Sequence, residues 1–369
     1  MNFIQELTWR GMIHDIMPGT EEQFQNEMTS AYIGFDPTAD SLHIGSLVQI
    51  MILVHLQNAG HKPYALVGGA TGMVGDPSGK SKERNLLDKD TLDHNLNCVK
   101  KQLEKFLDFN CGDNSAVVIN NYDWFENMSF LEFIRDNGKH ISVNYMMAKD
   151  SVKSRLSTGM SFTEFSYQLV QGYDFYWLWK NKNCKVQLGG SDQWGNIVNG
   201  VDLIKRHSSN QVFGLTTPLI TLSSGLKMGK TEKGAIWLDS KFLPAYEYWQ
   251  FWRNTNDEDV IRFLKMFTDL DTDLIDNKKD ENINDLKILL ANETTSMLHG
   301  NKAALIAEKT ARDTFEKGNI GKNLPSVNLS KRTLKNGVNI LDFIVSTKLL
   351  ISKSEVRRAI NNKGIKINN

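Results

Sequence analysis

Long apolar runs, abundant cysteine and net charge are all lacking in this sequence of 369 residues. No uncharged stretch approaches the roughly 20 residues that a membrane-spanning helix needs, and Met1–Trp9 lacks the apolar core of a signal peptide. Three cysteines are too few for a disulfide framework and have no metal-ligand spacing, which predicts a reducing cytoplasm and no metal site. A formal net charge of zero gives no global field that would attract a polyanion.

The average charge hides a basic C-terminal segment. From Asn319 onward the sequence has ten lysines and arginines but only two acidic residues, Asp342 and Glu355. Such a segment favours contact with nucleic acid phosphates, and a solvated tail is the alternative. The length of the chain exceeds that of one simple core, so two or three domains are expected.

Strand-like and helix-like segments alternate through the first half, which predicts an α/β fold with a Rossmann-like parallel sheet at 1–218. A helical insertion is expected at about 121–160, a linker with a lysine loop at 219–244, and an α-helical domain at 245–318. The basic segment 319–369 comes last. The expected strands are 31–35, 65–67, 116–119, 185–188 and 217–222. The expected helices include 44–59, 92–109, 162–179, 194–206, 245–253, 257–267, 283–298, 302–315 and 353–361.

A His-Ile-Gly-Ser tetrad, His43–Ser46, lies where a strand and turn have ended and a helix begins. A helix N-terminus offers N–H groups and the positive end of the helix dipole, and both suit a triphosphate. Gly45 lets a nucleotide approach the backbone, and His43 can donate to a phosphate oxygen as charge builds on it. For the tetrad taken alone, a capped core helix is the alternative.

A second motif, Lys227–Thr231 (Lys-Met-Gly-Lys-Thr), follows the last expected strand. Two lysines three residues apart among small residues can clamp a transferring phosphoryl group, and a solvated charged hairpin is the alternative. Both motifs follow strands, in the order expected of the two rims of one cleft. Their joint occurrence therefore favours an enzyme that uses a nucleotide.

The glycine-rich segment 68–79 does not match two other nucleotide-binding motifs. A phosphate loop that ends in Gly79, Lys80 and Ser81 would need glycine at position 74, which is Val74. The glycines of 68–75 also lack the Gly-x-Gly-x-x-Gly spacing of a dinucleotide site. Neither a Walker A site nor a nicotinamide site is expected.

The tetrad and the lysine loop resemble the two ATP signatures of class I aminoacyl-tRNA synthetases, and the wider resemblance is to the bacterial tyrosyl-tRNA synthetases. It runs from about Trp9 to Phe267 and is highly specific. It is carried by Tyr32–Thr38, Gly68–Gly72, Gly75–Lys80, Ser166 and Tyr167 with Gln171 and Asp174, and Gly189–Asn196. The resemblance implies activation of L-tyrosine by ATP, transfer to tRNA(Tyr), and a homodimer joined through the insertion and the adjacent Phe162.

For tyrosine, the resemblance implies that Tyr32 and Asp174 hydrogen-bond the substrate hydroxyl. Phenylalanine would leave both groups buried and unpaired, and this enzyme family is itself the standard example of that discrimination. Tyr167, Gln171 and Asp174 stand at i, i+4 and i+7, which puts them on one helix face and supports a single pocket. The contacts implied for the amino and carboxyl groups are Asp76, Tyr167, Gln171 and Gln193.

For ATP, the resemblance implies contacts from Asp36, His43, Gly45, Ser46, Gly190, Asp192, Lys227, Lys230 and Thr231. The residues implied to act on the departing pyrophosphate are Thr38, His43, Lys80, Arg84, Lys227 and Lys230. Catalysis would then be positioning and charge stabilisation without a covalent enzyme intermediate. Mg²⁺ is implied to arrive with ATP rather than in a protein cage.

Some features depart from the family pattern. Ser46 stands where the family often has histidine; it can still donate toward the ribose, but it is shorter and cannot be cationic. Ile33 stands where some members have a polar ribose contact, so one sugar hydrogen bond is expected to be missing, and the effect on ATP affinity stays open. The basic segment looks like the start of an S4-type RNA-binding domain with a helix at about 351–360, and a further C-terminal portion is expected. Tryptophan activation and an RNA-binding protein on a retired synthetase scaffold are the remaining alternatives; Asp174 argues against the first and the intact lysine loop against the second.

Overall fold

The computed structural model describes residues 1–76, 87–149, 152–153, 159–223, 225, 228, 230–231, 234–315, 338–347, 350, 352–361 and 364–365. The chain divides into two compact units, Met1–Lys309 and Thr310–Asn369. Within the described residues, no helix is both long and apolar enough to cross a membrane.

A six-stranded sheet forms the centre of the first unit in the described part of the chain. Its strands are β1 (Asp15–Ile16), β2 (Ser30–Phe35), β3 (Lys62–Val67), β4 (Val117–Asn120), β5 (Cys184–Gly190) and β6 (Phe213–Thr217). Their spatial order is β1-β6-β5-β2-β3-β4, and only β1 runs antiparallel to its neighbour. The central strands are almost wholly buried, as expected for a parallel sheet covered by helices on both faces.

The strand order reverses between β2 and β5. From β2 the chain adds β3 and β4 on one side, and β5 and β6 on the other. In open parallel sheets of this kind, ligands bind in the crevice beyond the carboxyl ends of the strands at the reversal. Phe35 and Gly190 end the two strands there. The topology therefore predicts where the site lies before any side chain is considered.

Helices cover the sheet and fill the insertion between β4 and β5. Those of the sheet region are α1 (Phe3–Trp9), α2 (Thr20–Asn26), α3 (Leu47–Asn58), α4 (Gly69–Val74), α5 (Lys89–Leu103), α6 (Tyr122–Phe125), α7 (Phe130–Asp136), α8 (Val143–Met147), α9 (Phe162–Lys182) and α10 (Trp194–Ser208). Many begin at side-chain caps; Ser161, for example, accepts from the Glu164 N–H at 3.1 Å and starts α9. Asn183 ends α9 in the left-handed conformation.

A set of helices follows the sheet within the first unit. They are α11 (Ala245–Arg253), α12 (Asp257–Phe267), α13 (Thr272–Lys278), α14 (Ile283–His299) and α15 (Asn301–Phe315), the last of which continues past Lys309. Trp249, Trp252 and Phe263 form their buried aromatic core. In the second unit, α16 (Ile340–Ser346) packs on α17 (Lys353–Asn361).

The α/β fold with a parallel-dominated sheet is confirmed, and several element bounds are too. Helices predicted at 245–253, 257–267 and 353–361 have those bounds. The strand predicted at 217–222 is wrong, because the last strand of the six-stranded sheet is Phe213–Thr217. Pro218 follows directly, and it has no N–H to continue the ladder.

Other differences are smaller. The helix predicted from Ile44 starts with a 3-10 turn at Ile44–Ser46, and its α-helical part begins at Leu47. The glycine-rich segment contains α4, which was not predicted as a helix. The N-terminal elements α1, β1 and α2 were also not predicted.

Candidate active site

One cavity opens beyond the carboxyl ends of β2 and β5, where the strand order reverses. It is lined from β2 and its following turn, from the tetrad, from α9, and from the turn after β5. The structure brings many of the predicted site residues together around it: Tyr32, Asp36, Thr38, His43, Gly45, Ser46, Asp76, Tyr167, Gln171, Asp174, Gly190, Asp192 and Gln193.

The remaining predicted residues come from two loops. Lys80, Arg84 and Lys227 lie outside the described residues. Lys230 and Thr231 are described in the backbone only, as the short strand β7 (Lys230–Thr231), which pairs antiparallel with β8 (Gly234–Ala235). The roles predicted for these loop residues stay predictions.

Tyr32 and Asp174 define the most deeply buried part of the cavity, since each is only 1% exposed. The Asp174 carboxylate accepts from the Asn121 amide at 3.0 Å and from the Trp124 indole N–H at 3.0 Å. The Tyr32 hydroxyl is buried and has no hydrogen-bond partner among the described residues. Such a group costs about 1–3 kcal/mol, so a ligand that hydrogen-bonds it here would remove that cost.

Burial also shifts the titration of this pair. It raises the pKa of the Asp174 carboxyl well above its usual range, and the donors Asn121 and Trp124 offset part of the rise. Burial raises the pKa of the Tyr32 hydroxyl as well, and the nearby Asp174 charge adds to that rise. The phenol of Tyr32 therefore stays protonated and can donate to a ligand oxygen.

A continuous chain of hydrogen bonds fixes the pocket floor. Asn121 donates to the Thr71 hydroxyl at 3.1 Å, and Thr71 donates to Asp36 at 2.7 Å. The Tyr167 hydroxyl donates to the other Asp36 oxygen at 3.0 Å, and burial followed by the Asp36 charge raises the pKa of Tyr167. Asp36, predicted to contact ATP, thus holds Tyr167 and Thr71 with its two carboxylate oxygens in this structure.

A second network lines the side of the cavity next to β5. The Gln193 amide donates to Asp76 at 2.9 Å, and Gln171 and Asn196 donate to the Gln193 amide oxygen at 3.3 and 3.1 Å. The Gln171 amide oxygen is buried and has no partner among the described residues. This side therefore presents an Asp76 carboxylate and a Gln171 carbonyl, two acceptors that suit an ammonium group.

The opposite rim of the cavity is built mainly from backbone. His43 Nδ1 accepts from the Gly45 N–H at 2.9 Å, which makes Nε2 the donor nitrogen of the ring. A Cβ on Gly45 would lie 2.6 Å from a His43 ring carbon, and one on Gly190 would lie 2.7 Å from the Asp192 carboxylate. Any other residue at these positions would require the His43 or Asp192 side chain to shift. His43 and Asp192 are exposed, so this rim is open to solvent.

The tetrad also contacts the segment that follows the lysine loop. Ile44 N–H donates to the Ile236 carbonyl at 2.8 Å, and His43 forms an antiparallel bridge with Trp237. The two rings meet edge to face at 6.3 Å between centroids. The tetrad is therefore held against the residues that follow the second motif.

Sequence reasoning missed three residues of this site: Thr71, Asn121 and Trp124. They hold Asp36 and Asp174 and do not themselves match a nucleotide motif. Asn121 directly follows β4, and polar residues at the carboxyl end of a parallel strand face the crevice. The position of Asn121 at the end of β4 could therefore have identified it from the sequence as a site residue.

The chain matches the family of class I tRNA synthetases for tryptophan and tyrosine (W and Y) over residues 25–316. It is 53% identical to a tyrosine–tRNA ligase of Pelagibacter ubique over 371 residues, covering 99% of this chain and 90% of the relative. A tyrosine–tRNA ligase of Bacteroides thetaiotaomicron is 49% identical, with 100% and 91% covered.

Solved structures agree. A C-terminally truncated mitochondrial tyrosyl-tRNA synthetase of Aspergillus nidulans superposes with a TM-score of 0.77 at 32% identity, covering 85% of this chain and 94% of that one. A tryptophanyl-tRNA synthetase of Encephalitozoon cuniculi, at 13% identity and a TM-score of 0.57, shares the fold alone. The relatives are about 50% identical over nearly their whole length, and the fold matches. The chain therefore belongs to the class I tyrosyl-tRNA synthetases.

Proposed function

We propose that this enzyme joins L-tyrosine to ATP, forming tyrosyl-adenylate and pyrophosphate, and then transfers the tyrosyl group to the 3′ end of tRNA(Tyr). Membership of the family supports the reaction. The cavity at the reversal of strand order supplies one buried polar end and one open rim. An amino acid side chain fits the first and a nucleotide the second.

The buried Tyr32 hydroxyl beside Asp174 is the observation that carries the choice of tyrosine. A phenol hydroxyl bound there accepts from Tyr32 and donates to Asp174. Phenylalanine would leave the buried Tyr32 hydroxyl without a partner, at a cost of about 1–3 kcal/mol, and would give Asp174 no donor beyond Asn121 and Trp124. Asn121 and Trp124 each donate to one oxygen of Asp174 and so orient the carboxylate.

The rest of tyrosine binding is assigned to the network beside β5. The α-ammonium group is held by Asp76, Tyr167 and Gln171, of which Asp76 supplies the charge. Gln193 is assigned to the carboxylate, which must reach the α-phosphorus of ATP. The 2.9 Å bond from Gln193 to Asp76 supports this division, because it fixes both groups on one side of the pocket.

ATP is assigned to the open rim. Gly45, Ser46, Gly190 and Asp192 take the nucleoside, and the family's pyrophosphate contacts are Thr38, His43, Lys80, Arg84, Lys227 and Lys230, with Thr231 beside them. As the tyrosine carboxylate attacks, negative charge moves onto the departing pyrophosphate. Cationic and N–H donors that are already in place stabilise that charge without reorganising.

Mg²⁺ is proposed to enter with ATP as part of the substrate. Mg²⁺ usually keeps several waters and binds mainly through phosphates in sites of this kind. Within the described residues there is no group of three or more His, Cys, Asp or Glu side chains arranged to hold a metal ion. Exchange activity is expected to follow the concentration of the Mg²⁺–ATP complex, and activity with ATP alone in excess chelator would contradict this.

A homodimer through the insertion is also proposed. Apolar side chains are unusually exposed there: Phe130 by 64%, Leu131 by 77%, Val143 by 63% and Phe162 by 64%. Such a patch marks a partner surface. Leu131→Glu is expected to yield monomers in sedimentation, whereas Met28→Glu, at an apolar residue 51% exposed outside the insertion, is the matched control. Monomeric wild-type enzyme would contradict the proposal.

The helix α17 is proposed to contact tRNA. Arg357 and Arg358 lie exposed on it, while Val356 is buried against its own unit. Contacts of this kind read phosphates and weaken as salt rises. The double replacement of both arginines by glutamine is expected to lower tRNA affinity and its salt dependence while leaving adenylate formation unchanged. Cytoplasmic tRNA is the expected substrate pool.

Amino-acid-dependent exchange of pyrophosphate into ATP tests the proposed function. Each of the twenty amino acids is supplied in turn, without tRNA. Exchange with tyrosine alone is the expected result. Exchange with tryptophan instead would move the assignment within the fold, and exchange with no amino acid would leave only a binding role.

A further inference from the structure

The start of the lysine loop is anchored to the first turn of α12. The Asp259 carboxylate accepts from the Ser223 backbone N–H at 2.9 Å. Arg262 pairs with the other Asp259 oxygen and also donates to the Thr221 carbonyl. The Asn256 amide donates to the Ser223 hydroxyl at 3.1 Å. Three bonds from the helix side thus reach two residues just before the loop, Thr221 and Ser223.

Asp259 is an unusual choice for a surface helix. The residue is 2% exposed, although it stands in a first turn where acidic residues are common and normally solvated. A buried carboxylate is costly unless its oxygens are paired. Here its partners are a backbone N–H from outside the helix and the Arg262 guanidinium. The carboxylate therefore fixes backbone that is 36 residues away in sequence.

The other end of α12 is fixed just as firmly. Arg10, 3% exposed, donates to the carbonyls of Lys265, Thr268 and Leu270 at 2.8, 3.2 and 2.9 Å. These bonds hold the C-terminal turn of α12 and the residues after it. Arg10 is itself held by Glu6 at 2.9 Å. Both ends of α12 are therefore hydrogen-bonded to other parts of the first unit.

Between its ends α12 packs on α3, the helix that continues directly from the tetrad. The same tetrad is hydrogen-bonded to Ile236, on the far side of the lysine loop. Hydrogen bonds therefore hold the chain on both sides of that loop. Those from α12 hold the residues just before it, and the one from the tetrad holds Ile236, which follows it. Within the loop, Met228 is 7% exposed and its N–H donates to the Ile220 carbonyl at 3.0 Å.

We infer that α12 is a strut that sets the position of the lysine signature relative to the tetrad, with Asp259 and Arg262 as positioning residues for the reaction. They touch no substrate and act through the backbone of Thr221–Ser223. This inference rests on the proposed function, since it assigns the lysine signature to the pyrophosphate. It adds a role for the helical region, which otherwise only follows the sheet in sequence.

The strut should affect adenylate formation more than tyrosine binding. Tyrosine binds through β2 and α9, which contact none of these bonds, so its dissociation constant should not change. Stabilisation of the leaving pyrophosphate needs the lysine signature in place. A displacement of about 1 Å can cost a catalytic step on the order of 100-fold. Loss of the strut should therefore lower the rate of adenylate formation and leave tyrosine affinity intact.

The test compares Asp259→Ala with Asp259→Asn in the full-length chain. Alanine removes the acceptor for the Ser223 N–H, whereas asparagine keeps one amide oxygen for it. Asp257→Ala is the matched control, because Asp257 lies on the same turn, is 69% exposed and pairs with Lys287 instead. The measurements are single-turnover adenylate formation, tyrosine affinity by equilibrium dialysis without ATP, and the thermal unfolding midpoint.

Asp259→Ala is expected to slow adenylate formation about 10- to 100-fold, with tyrosine affinity within twofold of wild type. Asp259→Asn should recover most of the rate, and Asp257→Ala should match wild type. Equal damage in Ala and Asn, or a parallel loss of tyrosine affinity, would reduce Asp259 to a structural role and overturn the inference. If Asp259→Ala does not fold, Arg262→Met, which removes the bond to Thr221, takes its place with the same expectations.

The two proposals fail differently. Wild-type enzyme without tyrosine-dependent exchange would overturn the proposed function. Wild-type exchange together with a fully active Asp259→Ala enzyme would overturn the strut alone.

Discussion

The two halves of the cavity are built in different ways. On the side proposed to bind tyrosine, a chain of side-chain hydrogen bonds runs from Asp174 through Asn121, Thr71 and Asp36 to Tyr167. On the side proposed to bind the nucleotide, the described contacts are mostly glycine turns and backbone N–H groups near exposed side chains. The first half is buried and closely hydrogen-bonded. The second half is open to solvent.

This difference predicts which half of the cavity determines amino acid specificity. A buried network rejects a wrong ligand because each unmatched polar group keeps its full desolvation cost. An open rim pays less for a mismatch, since water can replace a missing contact. The enzyme's amino acid specificity should therefore be sensitive to single atoms, and its ATP affinity should tolerate changes such as Ser46.

Asp174→Ala should have the largest effect. It removes the acceptor for the substrate hydroxyl and leaves the Asn121 and Trp124 donors buried without their partner, for a loss of roughly 10²- to 10³-fold in kcat/KM for tyrosine. Pyrophosphate exchange measures it. Asp93→Ala, an exposed carboxylate on α5, is the control. Wild-type-like exchange would show that Asp174 does not contact tyrosine, and the contrast between the two halves of the cavity would then be wrong.

His43→Ala comes next. It removes a donor aimed at developing charge, and such donors are worth about 10²- to 10³-fold in kcat. Tyrosine affinity should stay unchanged, because His43 lies on the other rim. His43→Gln, which can still donate from its amide, should recover part of the rate. A loss confined to tyrosine binding would show that the two halves are not separate.

Ser46→Ala should be milder. One hydrogen bond at a half-exposed position is worth about 0.5–1.5 kcal/mol, which is roughly a 2- to 10-fold rise in KM for ATP. The kcat should change less than KM. If ATP binding does not change at all, the backbone alone serves the nucleotide at this position, and the contrast with the side-chain network becomes sharper.

Lys149→Met comes last, because its expected effect is on the pH dependence of stability and not on activity. Lys149 donates to the Gly195 carbonyl at 2.6 Å, and burial lowers its pKa to about 7. Between pH 7 and the unfolded value near 10.5, the folded chain binds fewer protons than the unfolded chain, so stability rises with pH. The slope is at most about 1.4 kcal/mol per pH unit. Methionine should flatten it.

Denaturation at pH 7 and pH 9 measures the difference between wild type and Lys149→Met. Lys153→Met, at an exposed neighbour, should keep the wild-type slope. Identical slopes in all three chains would mean that Lys149 stays charged in the fold.

Much of the site could be predicted because it sits on short motifs at strand ends. Tyr32–Thr38 and Gly189–Asn196 carry their chemistry within a few residues, and the helix spacing of Tyr167, Gln171 and Asp174 shows that they share a face. The α/β order was likewise readable from alternating segments. The strand after α10 was misplaced because the apolar run continues past Pro218, and only the missing N–H ends the strand.

Residues that act over long sequence distances could not be predicted. Arg10 and Asp259 look like ordinary charged residues on surface helices, and each is buried only because distant backbone covers it. Trp124 lies in a segment that was interpreted as an insertion, and nothing local shows that its indole points at Asp174. These residues support the motif residues, and no short pattern marks them.

The pairing of β2 with β5 has a consequence for folding. Ser30 lies beside Cys184, 154 residues further along the chain, and the cavity exists only once these two strands have met. Contacts between such distant segments form slowly, because the loop between them must first be closed. A fragment that ends before β5 lacks Gln193 and one wall of the cavity. A ligand that binds the complete cavity favours chains that have completed this step, and saturating tyrosine should raise the unfolding temperature by mass action.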